Sequence, residues 1–178
     1  MDALGYDFCM RLAELTPGDR SPIIVNTVIE IPKGSSNKYE VDKETGLVRL
    51  DRVLYSPLFY PCDYGYIPGT LYSDGDPIDV LVLLSHPTFP GCIVESRPIG
   101  VLCMTDEKGR DDKILCVADR DPRFETIKIL ADIGEHFQKE IVHFFEVYKA
   151  LEEKEVDVVG WASIEVAHTA IQEFTLRH

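Results

Sequence analysis

Residues 74–80, which have the sequence DGDPIDV, combine three carboxylates with the start of an apolar run. The run covers residues 78–84, is interrupted only by Asp79, and predicts a buried strand. Asp74 and Asp76 are two residues apart, so their side chains point the same way in an extended backbone. The glycine between them permits a bend, and the proline after them restricts the chain. The stretch therefore predicts an acidic turn that leads directly into a core strand.

The three carboxylates of this stretch favour a metal ion. Carboxylates about 5 Å apart repel by roughly 3 kcal/mol per pair at an effective dielectric constant near 20. A hard divalent cation removes this cost, and Mg²⁺ prefers oxygen ligands. An EF-hand loop is excluded because, counted from Asp74, positions six and twelve hold Asp79 and Ser85 instead of glycine and glutamate. The alternative, from these residues alone, is an acidic turn with no ligand.

The composition indicates one globular domain spanning residues 1–178, long enough to bury a sizeable core. The net charge of -13 argues against a nucleic acid or an anionic membrane as partner. No apolar run approaches the length of a membrane span, and the first residues lack a signal-peptide pattern. The five cysteines form no CxxC motif, which favours free thiols in a reducing cytoplasm.

Segments rich in β-branched or alternating residues predict strands along the first two thirds of the chain. These segments are residues 23–31, 38–42, 47–55, 78–84, 92–94, 99–104 and 114–118. Residues 59–66 are interrupted by proline and glycine and predict a loop that forms an aromatic wall. Helical spacing of apolar residues predicts helices over 134–150 and 161–175, and a short one over 2–15. Strands followed by helices favour a mainly β, α+β fold, an antiparallel barrel with helices packed outside.

Polar residues of these strands and loops could meet at one rim of the barrel. The acids are Glu30, Glu40, Asp74, Asp76, Asp79, Asp106 and Asp111, the cations are Lys38, Arg52, Lys113 and Lys149, and the hydroxyls are Tyr60, Tyr64 and Tyr148. Carboxylates bind metal ions, metal ions bind phosphate, and lysine or arginine neutralises the remaining phosphate charge. A P-loop nucleotide site is not expected, because the chain has no GxxxxGK[ST] motif.

With these residues the sequence resembles the soluble family I inorganic pyrophosphatases, and its length resembles the bacterial type. The resemblance rests on DGDPIDV at residues 74–80, the family's aspartate-rich signature, and extends over nearly the whole chain. Further matching segments are residues 29–32, 38–40, 51–52, 59–61, 104–107, 111–113 and 143–149. The resemblance implies a five-stranded OB-like barrel and Mg²⁺-dependent hydrolysis of pyrophosphate to two phosphates, with several Mg²⁺ ions per subunit.

The resemblance also implies the metal ligands, which are Glu30, Glu40, Asp74, Asp79, Asp106 and Asp111. The tightest ion would be held by Asp74, Asp79 and Asp111, with Asp79 bridging to a second ion. An ion that arrives with the substrate would be held by Asp106 and Asp111. A hydroxide would bridge the first two ions.

The remaining roles that the resemblance implies concern the base and the phosphates. The general base would be Asp76, next to the bridging hydroxide. The two phosphates would be held by Lys38, Arg52, Tyr64, Lys113, Tyr148 and Lys149. Bacterial members of the family resemble hexamers, so we expect a homohexamer in which the helix at 134–150 contributes a subunit contact. A stripe on that helix, which includes His143, would lie in this contact.

Two rival functions stay open at this point. A non-enzymatic OB-like module that binds single strands would need exposed aromatics in a basic groove, whereas this chain is acidic. A metal-dependent phosphohydrolase acting on nucleotides or phosphomonoesters would need a pocket for the base or sugar. No motif in the sequence indicates such a pocket.

Overall fold

The computed structural model describes residues 14–42 and 45–176. The helix expected over residues 2–15 therefore lies almost wholly outside the described residues. The described part contains nine strands and two α-helices. The strands are β1 (Val25–Ile31), β2 (Asn37–Val41), β3 (Val48–Val53), β4 (Asp63–Tyr66), β5 (Asp79–Leu83), β6 (Ile93–Asp106), β7 (Gly109–Arg110), β8 (Lys113–Ala118) and β9 (Asp157–Ala162). The helices are α1 (Glu135–Val147) and α2 (Ile164–Phe174), accompanied by 3-10 turns at Pro122–Phe124, Leu130–Asp132 and Ala150–Glu152.

Five of the strands form a closed ring, β1–β4–β5–β8–β6, in which β6 pairs back with β1. The predicted five-stranded barrel is thus consistent with the sheet. One pairing differs from the antiparallel expectation, because β5 and β8 run parallel. The chain crosses over between them through β6 and β7, and parallel neighbours require a crossover of this kind. Outside the ring, β9 extends the sheet along β6, and β2 pairs with β3 in a separate hairpin.

The strands predicted at residues 23–31, 38–42, 47–55, 78–84 and 114–118 are confirmed, with ends that differ by at most two residues. Three other expectations were wrong. The segment at 59–66 contains a buried ring strand, β4, instead of a loop alone. The segments at 92–94 and 99–104 form one strand, β6, which continues through Pro98 with a register shift after it. The helix predicted over 161–175 begins only at Ile164, because Trp161 and Ala162 belong to the strand β9.

Two apolar layers bury both faces of the central strands. Leu81 and Leu83 of β5 pack in the layer that contains α1, whereas Val80 and Val82 pack in the layer that contains α2. A strand that is buried on both faces has a nearly continuous apolar sequence, as β5 does. Because side chains alternate along a strand, Asp79 lies on the same face as Leu81 and is directed toward the α1 side.

Helix α1 covers the ring with the face that its periodicity predicted. Ile141, Phe144 and Phe145 are buried, and Tyr148 follows them at the end of the helix. The ring of Phe144 stacks on that of Tyr148 at 5.4 Å and contacts Tyr60 at 4.9 Å between centroids. This packing places Tyr148 and the residue after it beside the ends of β5 and β8.

Candidate active site

The centre of the site is set by the register of the parallel pair β5–β8. In this register Asp79, the first residue of β5, lies beside Lys113, the first residue of β8. Both side chains share the face that packs toward α1. The Lys113 amine donates to Asp79 Oδ2 at 2.6 Å and also to Asp111 Oδ1. Asp111 lies two residues before Lys113, on the same face of an extended chain.

Lys113 is a buried cation between two carboxylates, with only 1% of its surface exposed. Burial disfavours its charged form, but the charges of Asp79 and Asp111 outweigh burial and raise the pKa of Lys113. Burial also raises the pKa of Asp111 to about 6, although the Lys113 charge opposes this shift. The arrangement therefore concentrates opposite charges in a place from which water is largely excluded.

Tyrosine hydroxyls border this centre. Tyr64 of β4 donates to Asp79 Oδ2 at 2.5 Å, and its ring lies 5.9 Å from the Lys113 amine. Burial, together with the charges of Asp79 and Asp111, raises the pKa of Tyr64 well above its ordinary value. Burial also raises the pKa of Tyr148. Both hydroxyls therefore stay protonated and can act as hydrogen-bond donors.

Lys149 follows Tyr148 in the sequence and contacts two acids at the β6–β7 turn, Asp106 and Glu107. Its amine donates to Asp106 Oδ2 at 2.8 Å and to Glu107 Oε2 at 3.4 Å. The amine also lies 5.5 Å from the centroid of the Tyr148 ring. The β6–β7 hairpin thus brings Asp106 to the site, and the segment after α1 brings Lys149, the cation that pairs with Asp106.

The β2–β3 hairpin contributes a second group of charges, because its register pairs Lys38 with Arg52. The Lys38 amine contacts Glu40 and lies 3.3 Å from Asp51 Oδ2. Arg52 donates from Nη1 to Asp51 Oδ2 at 2.5 Å. From Nε it also donates at 2.9 Å to Glu152, which follows α1. Lys38 and Glu40 are two residues apart on β2, so their side chains share a face of the strand and are in contact.

Glu30 lies between the Asp79–Lys113 centre and the charges of the β2–β3 hairpin. Its Oε1 accepts the backbone N–H of Val41 at 2.7 Å, so it joins β1 to the hairpin. Burial raises the pKa of Glu30 to about 7, and the charges of Asp79, Lys38 and Glu40 act on the same carboxyl. Glu30 therefore lies within electrostatic reach of both the centre and the hairpin.

The acidic turn precedes β5. The backbone N–H of Asp76 donates to Asp74 Oδ1 at 3.1 Å, and the carbonyl of Asp76 accepts the backbone N–H of Tyr72 at 2.7 Å. Gly75 has a φ of 87°, the left-handed conformation that glycine adopts without strain. Asp74 and Asp76 are both partly exposed, and the turn leads into β5 within three residues.

The donor set suits a hard divalent cation in its chemistry, since all of the predicted ligands are carboxylates. Two of them, Asp79 and Asp111, already converge on one cation, the Lys113 amine. Among the described residues, no group of three or more His, Cys, Asp or Glu side chains is arranged to hold a metal ion. A metal ion would therefore compete with the lysine for these oxygens.

Several residues in these contacts were not among the predicted site residues. Asp51 and Glu152 pair with Arg52, and Glu107 accepts from Lys149. Asp51 precedes Arg52 in the sequence, so a surface pair was the simpler interpretation. Nothing local to Glu152 indicates its role, because it lies 100 residues from Arg52 and the fold alone brings them together.

A barrel rim that gathers carboxylates, buried lysines and tyrosine hydroxyls is typical of a hydrolase that acts on phosphates. The sequence model of the inorganic pyrophosphatase family matches residues 27–178. The inorganic pyrophosphatase of Methanosarcina mazei is 55% identical over 146 residues, which are 82% of this chain and 86% of that protein. That of Geobacillus stearothermophilus is 50% identical over 155 residues, 87% of this chain and 94% of that protein.

The solved structures agree with the sequence comparisons. The crystal structure of inorganic pyrophosphatase from Thermus thermophilus superposes with a TM-score of 0.90 at 47% identity, covering 92% of this chain and 96% of that chain. The chain belongs to the inorganic pyrophosphatase family. The resemblance, the enzyme class and the OB-like fold predicted from the sequence are thereby confirmed. In the part of the chain that the structure describes, no helix has the length and apolarity needed to span a membrane.

Proposed function

We propose that this chain hydrolyses inorganic pyrophosphate to two phosphates and uses several Mg²⁺ ions per subunit. The observation that carries the proposal is the cluster of Asp79, Asp111 and Lys113 at the paired ends of β5 and β8. Membership in the family and the all-carboxylate donor set support the same function. When bound, Mg²⁺ would neutralise phosphate charge and acidify the attacking water.

The residues that would hold the metal ions are the predicted carboxylates. The ligands are Glu30, Glu40, Asp74, Asp79, Asp106 and Asp111. The distances from Lys113 to Asp79 and Asp111 support a shared cation position between them. The buried tyrosine hydroxyl that donates to Asp79 restricts the orientation of that carboxylate, which favours a fixed ligand geometry.

Two further proposed roles are those that the family resemblance implies. Asp76, next to the ligand Asp74, would accept the proton of the attacking water as general base. The two phosphates would be held by Lys38, Arg52, Tyr64, Lys113, Tyr148 and Lys149. Cations and hydroxyls directed at the leaving phosphate would stabilise the negative charge that develops on it in the transition state. The amines of Lys113 and Lys149 are buried or nearly so, which strengthens their interaction with an anion.

We also propose that the chain acts as a single domain, in the cytoplasm, and as a homohexamer. The described cysteines, Cys62, Cys92, Cys103 and Cys116, are free thiols, which supports a reducing compartment. A stripe of exposed side chains on α1, among them His136, Glu140 and His143, supports a subunit contact on the face that does not cover the barrel.

The experiment that tests the function compares three substrates. Phosphate release is measured from pyrophosphate, ATP and a phosphomonoester, each with Mg²⁺ and with EDTA. We expect rapid release from pyrophosphate that depends on Mg²⁺, and far slower release from the other two. Faster release from ATP or the phosphomonoester would favour the rival phosphohydrolase, and no release from any substrate would favour a binding module.

A further inference from the structure

Asp112 is a buried carboxylate that lies between two predicted site residues and points away from them. It is 6% exposed, in contrast to the partly exposed Asp111 before it. Its Oδ2 accepts the Tyr72 hydroxyl at 2.8 Å, and Arg110 Nε donates to the same atom at 2.7 Å. Its Oδ1 accepts the backbone N–H of Met104 at 3.1 Å. Both carboxylate oxygens therefore have partners, as a buried charge requires.

Each partner of Asp112 belongs to a different segment that carries site carboxylates. Tyr72 closes the acidic turn, since its N–H donates to the carbonyl of Asp76 and its carbonyl accepts the N–H of Gly75 at 3.1 Å. Met104 lies in β6 two residues before Asp106, and its carbonyl accepts the backbone N–H of Asp111 at 2.9 Å. One side chain thus joins the acidic turn, the end of β6 and the start of β8.

The surroundings of Asp112 hold these contacts in place. The ring of Tyr72 packs edge-on against Phe174 of α2, with centroids 4.6 Å apart. The guanidinium of Arg110 lies 5.7 Å from the centre of the Tyr72 ring. Hydrogen bonds to an ionised carboxylate are stronger than hydrogen bonds to a neutral acceptor. The three segments are therefore fixed relative to one another at Asp112.

We propose that Asp112 is a positioning residue that sets the spacing of the metal-binding carboxylates. This inference rests on the proposed function, because it takes Asp74, Asp106 and Asp111 as ligands. Asp112 itself would contact neither metal nor substrate. Its effect would be on the affinity of the site for Mg²⁺, since carboxylates on separate segments, such as Asp74 and Asp111, bind one ion tightly only when the segments are prearranged.

The principal variant is Asp112→Asn. An amide can accept at one atom only, so either Met104 or the pair Tyr72 and Arg110 would lose its acceptor. The matched control is Asp121→Asn, at the opposite end of β8. The Asp121 carboxylate also bridges separate segments, since it accepts the backbone N–H groups of Ser85 at 2.7 Å and of Arg123 at 3.1 Å.

The main readout is the dissociation constant for Mg²⁺, measured by titration calorimetry without substrate. We expect Asp112→Asn to raise it by about tenfold to 100-fold, and Asp121→Asn to leave it unchanged. Tyr72→Phe keeps the ring and removes one hydrogen bond, so it should raise the constant by roughly twofold to tenfold. The double variant should weaken binding by less than the product of the single effects, because the two changes break the same contact.

Thermal unfolding in EDTA measures the stability of each variant without metal. A loss of Mg²⁺ affinity can thus be compared with any loss of stability. An unchanged Mg²⁺ affinity in Asp112→Asn would overturn the inference, and so would an equal loss in Asp121→Asn. If Asp112→Asn does not fold, Tyr72→Phe decides the question, and a wild-type affinity there would overturn it. Wild-type protein that binds no Mg²⁺ would instead remove the proposed metal site itself, and with it the basis of this inference.

Discussion

Lys113 pairs with two carboxylates that are also proposed to bind a metal ion. Its amine is buried between Asp79 and Asp111, and it stabilises both carboxylates against each other's charge. The same oxygens are the proposed ligands of Mg²⁺. A lysine that satisfies the acids also opposes the cation that they would bind, because like charges a few ångströms apart repel by several kcal/mol at a low effective dielectric constant.

Replacement of Lys113 by glutamine should therefore change stability in a metal-dependent way. Loss of one partner of a buried ion pair costs about 3–5 kcal/mol. At the lower value we expect Tm in EDTA to fall by roughly 6–12 °C. Saturating Mg²⁺ should raise the Tm of Lys113→Gln by more than it raises that of the wild type, because no amine competes for the oxygens. Differential scanning calorimetry with EDTA and with Mg²⁺ measures both effects. An equal Mg²⁺-induced shift in the two proteins would contradict the competition.

Asp76 belongs to the turn rather than to the buried centre, and its substitution should affect chemistry alone. We expect Asp76→Asn to fold and to bind Mg²⁺ like the wild type but to lose about 10²–10⁴-fold in kcat, the usual contribution of a general base. The control is Asp74→Asn, which should instead raise the Mg²⁺ concentration needed for half-maximal activity. Steady-state kinetics over a Mg²⁺ series distinguishes them. A kcat close to that of the wild type in Asp76→Asn would remove the residue from this role.

The candidate site residues could be named from the sequence because the signature DGDPIDV and its companion segments are specific, and their roles stay predictions. The contacts between these residues could not be predicted from the sequence. The pairing of Arg52 with Glu152 spans 100 residues and depends on how α1 ends against the hairpin. The burial of Lys113 depends on the register of β5 and β8, which no local pattern specifies.

At the scale of elements, β4 shows how packing can override a local pattern. A segment interrupted by Pro61 and Gly65 predicted a loop, yet Gly65 is what permits the strand. A Cβ built on Gly65 would lie 1.9 Å from the carbonyl oxygen of Val28 in β1. The glycine thus allows β4 to approach β1 and to carry Tyr64 to the site. The helix α1, with its helical period, and the strand β5, with its continuous apolar run, were predicted because their burial follows their own sequence.

Gly65→Ala should therefore be much more damaging than a glycine substitution in open space. The added methyl group must displace backbone, so we expect a loss of about 3 kcal/mol or more in the free energy of unfolding. Gly134→Ala is the control, because nothing lies within 4 Å of a Cβ at Gly134. As Gly134 caps α1, the control should cost no more than about 1 kcal/mol. Chemical denaturation of both variants measures the difference, and equal losses would mean that β1 can move away from β4.

For the whole molecule, the exposed stripe of α1 is the proposed contact between subunits. We expect light scattering at pH 7.5 to give the mass of six chains. The variant His143→Glu tests this contact, because a further negative charge on the stripe of a chain with a net charge of -13 should shift the assembly toward smaller species. A monomer at pH 7.5 would contradict the assembly, and an unchanged mass of His143→Glu would place His143 outside the contact.

The closure of the ring has a consequence for the chain as it is made. β1 and β6 pair with Val25 opposite Ser96, so the ring cannot close until both have left the ribosome. Contacts between such distant segments form slowly, because a long loop must be ordered before they do. In that interval β1, β4 and β5 have emerged without β8, and one edge of β5 is unpaired. Unpaired edges of apolar strands attract other chains. The nascent polypeptide therefore most needs shielding by chaperones between the synthesis of β5 and that of β8.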